Sequence, residues 1–314
     1  MQRFIIRRLL LIVLVLFLVS LLVFIITSVI PGDTAQAILG QTATPSNLAA
    51  LRHQLGLDQP PFVRYFWWLG NLLTGNLGIS PTMAQPVAPL LWSKLGNSAI
   101  LAVVALLFTV PLSLLLGVIA GLTKNRWPDA VISLATLAAV AQPEFVTGTF
   151  LIVIFATWLH LLPATSFFGS DQSLGQNIAA LILPAFTLSL VLLAYISRMT
   201  RTNMIDVMET DYIRSAMLKG LPYRQVVVRH ALRNALLPSI TIIANNVGWL
   251  LGGIVVTESL FGYPGLGRLL LFAVTSRDVV VIQDVTLLIA LIFALSNLAA
   301  DILYAVLNPR IRYA

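Results

Sequence analysis

The chain has 314 residues, of which 58% are hydrophobic and 10% charged, and its mean hydropathy is +0.93. Soluble domains carry about 25% charged residues, so this composition excludes a water-soluble globular protein and points to an integral membrane protein. The net charge of +7 does not indicate a nucleic-acid partner, because the cations sit beside apolar runs rather than along one soluble face. Cysteine is absent, which removes disulfides, thiolate catalysis and Cys-ligated metal sites.

The first element is the apolar run 9–30, preceded by MQRFIIRR. Ala35-Gln36-Ala37 offers a small-residue cleavage pattern. However, a signal peptide has an apolar core of roughly 7–15 residues, and this run is long enough to cross a bilayer. An uncleaved first span is expected. Five further apolar runs follow at 98–122, 130–161, 178–196, 236–257 and 285–307. The third exceeds the ~20 residues that a perpendicular crossing needs and contains Gln142-Pro143-Glu144. Since Pro removes a helical hydrogen bond, the expectation is one kinked or tilted helix, with a re-entrant pair of half-helices as the alternative.

The expected organisation is therefore all-α and polytopic, with six transmembrane helices. Residues 1–97 hold the first helix (about 9–30) and a large extracytoplasmic segment (31–97). Residues 98–314 form a core of five helices with a cytoplasmic loop at 198–235. With the N-terminus inside, fourteen of the 19 cations fall on the inner side, and the positive-inside rule then places both termini in the cytoplasm. In the outer segment, LAALRHQLGLD reads as a helix. Phe62, Tyr65, Phe66, Trp67 and Trp68 follow it, either as an interfacial aromatic belt or as a surface for an extracytoplasmic partner.

Catalytic signatures are missing. The chain has no HExxH, no GxSxG and no GxxxxGK[ST], so it lacks the zincin helix, the nucleophile elbow and the phosphate loop. His53, His160 and His230 lie in three different segments. Ionisable groups in or near spans default to functional candidates. Of these, Asp301 and Glu258 sit at span ends, while Glu144 follows the kink, where it either lines a water-filled route or bonds freed backbone groups. Asn245, Asn246, Gly248 and Gly252 form a further candidate set. Asn245, Gly248 and Gly252 share one helical face, which serves either close helix packing or a polar pathway lining.

The stretch DYIRSAMLKGLPYRQVVVRHALRNALLP, residues 211–238, concentrates cations in an otherwise apolar chain. Asp211 is expected as a helix N-cap, Gly220 as a left-handed stop, and Pro222 in the first turn of a second helix. Pro238 is expected to bound that helix or to open the next span. Val226, Val227, Ala231 and Leu232 against Arg224, Arg229 and Arg233 make the second helix amphipathic. Anchoring on anionic lipid, worth about 1 kcal/mol per cation, accounts for the charge but not for the Gly-Leu-Pro corner, which suits a docking surface.

DYIRSAMLKG with HALRNALLP resembles the inner-loop signature of permease subunits of binding-protein-dependent ABC importers, in the peptide/nickel branch. QRFIIRRLL, IPGDT, LGLDQP, GNLGIS, TESLFGYPGLGRLL and NPRIR agree, and the early PGD with the closing NPRIR resembles the first of the two permease types. There are departures. Arg214-Ser215-Ala216 stands at the general E-A-A, Gly-Asn-Leu-Gly at 75–78 replaces Gly-Asp-Leu-Gly, and Glu144 stands where a small or apolar residue is usual. The resemblance implies a type I ABC importer permease in the bacterial inner membrane. It also implies that the loop is a coupling helix seated in a groove of a cytoplasmic ATPase, carried here by Asp211, Tyr212, Arg214, Ala216, Lys219, Gly220, Leu221, His230, Arg233, Asn234 and Pro238. The implied partners are a second related permease, two ATPase subunits, an extracytoplasmic solute-binding protein and membrane lipid, with no nucleic acid. No cofactor is implied in this chain, and ATP and Mg²⁺ belong to the ATPases. The carried solute is expected to be a peptide or a similar small molecule. The competing expectation is a proton- or ion-coupled carrier using Glu144.

Overall fold

Leu, Val, Ile and Phe fill residues 9–26 with Ser20 as the one polar interruption, and a backbone in lipid must satisfy its own hydrogen bonds. In the computed structural model this stretch lies in a single helix, α1 (Gln2–Val29), with Leu10, Val13, Leu18, Leu22 and Ile25 exposed on its surface. The structure describes residues 2–29, 34–39, 43–54, 56, 58–166 and 174–307. Two short helices, α2 (Thr34–Leu39) and α3 (Pro45–Gln54), precede α4 (Pro61–Leu73), which starts at a Pro in its first turn. A two-stranded antiparallel hairpin pairs β1 (Ile79–Ser80) with β2 (Gln85–Pro86). Then come α5 (Val87–Leu122), α6 (Trp127–Ala141), α7 (Glu144–Leu151), a π-helical turn (Ile152–Trp158) and α8 (Leu174–Met208). The chain continues with α9 (Asp211–Leu218), α10 (Tyr223–Gln225), a second π-helical turn (Val226–Ala231), α11 (Leu232–Phe261), α12 (Leu266–Thr275) and α13 (Val279–Leu307).

Four helices among the described residues are long and apolar enough to cross a membrane, namely α1, α5, α8 and α13, and a fifth if the bent pair α6/α7 is one broken span rather than a re-entrant loop. The fifth expected span, 236–257, lies inside the 30-residue α11, which is about 45 Å long at 1.5 Å per residue. The kink at Pro143 is sharper than expected. Gln142 and Pro143 leave the helical region, and α6 and α7 meet at 110°.

The chain falls into two compact units, Met1–Ser98 with Pro264–Leu295, and Ala99–Tyr263 with Ser296–Ala314. In the first unit, Val23, Val87, Leu91, Leu266, Leu269, Val281 and Val285 form the core. α4 lies against α1: Phe24 meets Tyr65 edge-on at 5.3 Å and stacks with Trp68 at 6.3 Å. The Ser20 hydroxyl donates to the Phe17 carbonyl, so the Tyr65 hydroxyl, 2.9 Å away, donates to Ser20. Buried Asp278 accepts from the Ser80 and Thr82 hydroxyls at 2.5 and 2.6 Å and from the Val281 N–H at 3.2 Å, fastening the hairpin to the start of α13.

In the second unit, α8 packs along α11 through Leu181, Leu188, Leu192, Leu250 and Ile254. α5 approaches α8 so closely that a Cβ on Gly117 would stand 2.5 Å from Thr200 Cβ, and one on Gly121 would stand 2.6 Å from Met204 Cβ. That is a GxxxG contact. Thr200 and Ser239 hydroxyls meet at 2.9 Å between α8 and α11.

Candidate functional site

The 211–238 stretch forms a corner with an apolar floor. α8 does not stop at its expected end, 196, but runs on to Met208, so the first part of the 198–235 loop is helix. A turn at Glu209 and Thr210 follows, and α9 then buries Ile213 and Ala216. These join Met204, Val226, Val227, Ala231 and Ala235 in one cluster, flanked by Leu221 and Leu232. The opposite face is open: Asp211, Tyr212, Arg214, Lys219, Arg224, Arg229, Arg233 and Asn234 are exposed, as are Leu218 and Tyr223. His230 is half-buried. Burying two residues three apart while leaving the rest exposed is what an amphipathic single-sided helix does.

Local geometry corrects several expectations. Thr210, extended at φ −72° and ψ 151°, occupies the N-cap position, and Asp211 is the first helical residue. The Thr210 hydroxyl donates back to the Val207 carbonyl instead of capping α9. Asp211 still suits the positive end of the helix dipole. Gly220 does adopt the left-handed conformation, with φ at +76°. A Cβ there would meet nothing within 4 Å, so within this chain backbone conformation, not crowding, calls for Gly. Pro222 is an N-cap rather than a first-turn residue. No break separates the second helix from the next span: α10, the π-helical turn and α11 are contiguous, and Pro238 is internal to α11. Tyr212 links the two arms of the corner. Its hydroxyl accepts from Asn234 Nδ2 at 2.8 Å, and Asn234 Nδ2 also reaches the His230 carbonyl at 3.3 Å.

The other candidates separate. Glu144 opens α7, partly buried, with no ion-pair partner among the described residues. Asn245, Asn246, Gly248 and Gly252 belong to α11, and their side chains lie outside the described residues. Asp301 is half-buried in α13, while Arg310 and Arg312 lie outside the described residues. Glu258 is fully buried at the end of α11. Burial, and then the charge of Glu258, raise the pKa of the Tyr263 phenol.

Several polar groups went unnoticed in the sequence. Asp129, in the first turn of α6, takes Arg201 of α8 bidentately at 2.5 and 2.7 Å, and also accepts from the Asn125 N–H and the Ser133 hydroxyl. Lys124 pairs with Glu209 at 2.6 Å. The last span is expected at 285–307, but α13 starts at Val279 and already contains Gln283 and Asp284. Gln283 donates to Thr27 at 2.8 Å, and Asp284 accepts from the Trp68 indole at 3.2 Å. A cavity of about 540 Å³ opens in the first unit, lined by residues of 53–81 with Phe24, Val279, Val280 and Gln283.

Family models match the chain end to end. Residues 1–114 match the N-terminal part of the binding-protein-dependent transport system membrane component, and residues 113–313 match the binding-protein-dependent transport system inner membrane component. The chain belongs to this family. The glutathione transport system permease protein GsiC of Shigella flexneri serotype 5b (strain 8401) is 39% identical over 313 residues, with 100% of both chains covered. GsiC of Escherichia coli (strain K12) is 38% identical over the same length. A solved structure described as an amino acid ABC transporter with histidines is similar at a TM-score of 0.49 and 19% identity, covering 72% of this chain and 95% of that one. This binding-protein-dependent permease is a membrane transport subunit and not an enzyme. ATP is hydrolysed by partner ATPase subunits, and the family works with a solute-binding protein. Membership also decides against the Glu144-driven carrier, since the energy source lies in another chain.

Proposed function

We propose that the 211–238 corner is where the partner ATPase drives this permease, and that the carried solute is a small peptide of the glutathione class. The observation that carries the coupling reading is the exposed face of α9 and the turn after it. Arg214, Lys219, Arg224 and Arg233 point to water around exposed Leu218 and Tyr223, over a floor that is already packed. Such a surface has no further use inside the chain, and it fits a groove with acidic walls and an apolar bottom. Asp211, Tyr212, Gly220, Leu221, His230, Asn234 and Pro238 shape it, and Ala216 belongs to its floor.

The same reading includes a second, related permease that completes the translocation pathway, with two ATPases carrying ATP and Mg²⁺. The cation distribution supports cytoplasmic termini and an extracytoplasmic 31–97 segment. The peptide class rests on glutathione transport by relatives that match the whole chain. The test is uptake of labelled glutathione by the complete importer in proteoliposomes, with ATP inside and the binding protein outside. Vanadate-sensitive uptake that survives an uncoupler supports the reading. Uptake that collapses with the proton gradient while ATP is clamped refutes it.

A further inference from the structure

We propose that the cavity of the first unit is a peptide-binding site in which Arg64 receives the free carboxylate. The inference rests on the reading above that the cargo is a small peptide and that 31–97 faces outward. At about 540 Å³ the cavity falls within the roughly 300–1,000 Å³ typical of small-molecule sites.

The lining supplies each group that a short peptide needs. Arg64, on α4, is half-buried and has no ion pair or side-chain hydrogen bond among the described residues. Burial lowers its pKa and nothing opposes that, so its charge is desolvated without compensation. A guanidinium in that position matches a carboxylate through two parallel hydrogen bonds. Trp67 and Trp68 beside it offer indole surface to an apolar or thiol side chain. Gln283 donates through Nε2 to Thr27 and leaves its amide oxygen for a peptide N–H. Asn71 brings a second amide, and Asp58 is the acidic residue of the lining, available to an ammonium. A carboxylate, an amide and an ammonium together describe a zwitterionic peptide better than a simple anion.

The alternative source of an anion at Arg64 is a lipid phosphate, and the experiment separates the two. The assembled importer, without its binding protein, is placed in phosphatidylcholine nanodiscs and titrated with labelled glutathione, with the diethyl ester as competitor. Saturable binding is expected, with the ester at least tenfold weaker than glutathione. Arg64→Gln should weaken binding at least tenfold and Arg64→Lys by less, with unchanged thermal stability of the complex. Absence of saturable binding, equal binding by Arg64→Gln, or loss of binding once phosphatidylglycerol is added would overturn the proposal. The two readings fail differently. If Arg64-dependent binding persists but the complete importer takes up no glutathione, the cargo reading is wrong and the site stands. If uptake is normal and Arg64→Gln binds like the wild type, the site is wrong and the cargo reading stands.

Discussion

Arg201 and Asp129 meet through two hydrogen bonds of 2.5 and 2.7 Å, with the side chains 29% and 6% exposed. Arg214 and Asp211 stand 4.0 Å apart, with 75% and 99% exposed. Both are arginine–aspartate pairs in the same unit, yet their surroundings give them different work. In the first pair Asp129 is buried and Arg201 only partly open to water, and the remaining acceptor positions of Asp129 are filled by Asn125 and Ser133, so the pair fixes α6 against α8. The second pair is solvated, and such pairs contribute about 0–1 kcal/mol. Its charges are not committed inside the chain and remain available to a partner. Burial and hydrogen-bond satisfaction, rather than residue type, distinguish a structural charge from a docking charge here.

The largest effects should come from the exposed region and should appear in transport rather than folding. Gly220→Asp forces a side chain into a left-handed conformation at φ +76° and adds a negative charge to a cationic face. Arg214→Glu reverses a charge on that face. Each should abolish uptake while the permease still inserts and assembles, measured as uptake per inserted copy. Full uptake by the double variant would remove the coupling role. The buried pair should respond the other way. Asp129→Ala leaves the partly buried Arg201 without its partner, a loss of about 1–3 kcal/mol, read as a lowered melting temperature in detergent. Asp129→Ala with Arg201→Met should recover much of it, because two apolar groups leave no orphaned charge.

The contrast also shows what the sequence could reveal. The exposed corner was legible because its signals are local: a Gly at a helix stop, a Pro two residues later, and cations alternating with Val226, Val227 and Ala231. What was misjudged there was continuity. No short-range pattern announces that α10, a π-helical turn and α11 run together through Pro238, since that depends on packing against α8 and α9. The spans were legible from apolar length, though α5 and α13 begin earlier than hydropathy suggested; in α13, Gln283 and Asp284 bond to Thr27 and Trp68, far away in sequence. The Asp129–Arg201 pair joins residues separated by 72 positions and carries no local signature. The Gly117–Gly121 spacing was visible in the sequence, but its meaning depended on Thr200 and Met204 lying opposite.

A moderate effect is expected at the floor of the corner. Ile213→Val removes one methylene from a fully buried position, which costs about 0.5–1.5 kcal/mol. Local opening measured by hydrogen exchange should increase over 211–218 while the spans stay protected. Unchanged exchange there would mean that the floor does not hold α9.

The smallest change in stability should come from Tyr212→Phe, and it bears most directly on how the two kinds of region work together. The phenol ring is partly exposed, and its hydroxyl accepts from Asn234 Nδ2 at 2.8 Å, tying α9 to the first turn of α11. Removing the hydroxyl costs about 0.5–1 kcal/mol, the low end for a hydrogen bond near water. If α9 only docks, transport should barely change. If α9 passes the ATPase's movement to α11 through this link, ATP hydrolysed per solute imported should rise two- to fivefold with docking intact. Asn234→Ala should do the same, and the double variant should be no worse than either single one, because both remove one shared interaction. Additive losses would mean that Tyr212 and Asn234 act separately and that the movement reaches α11 through the apolar floor instead.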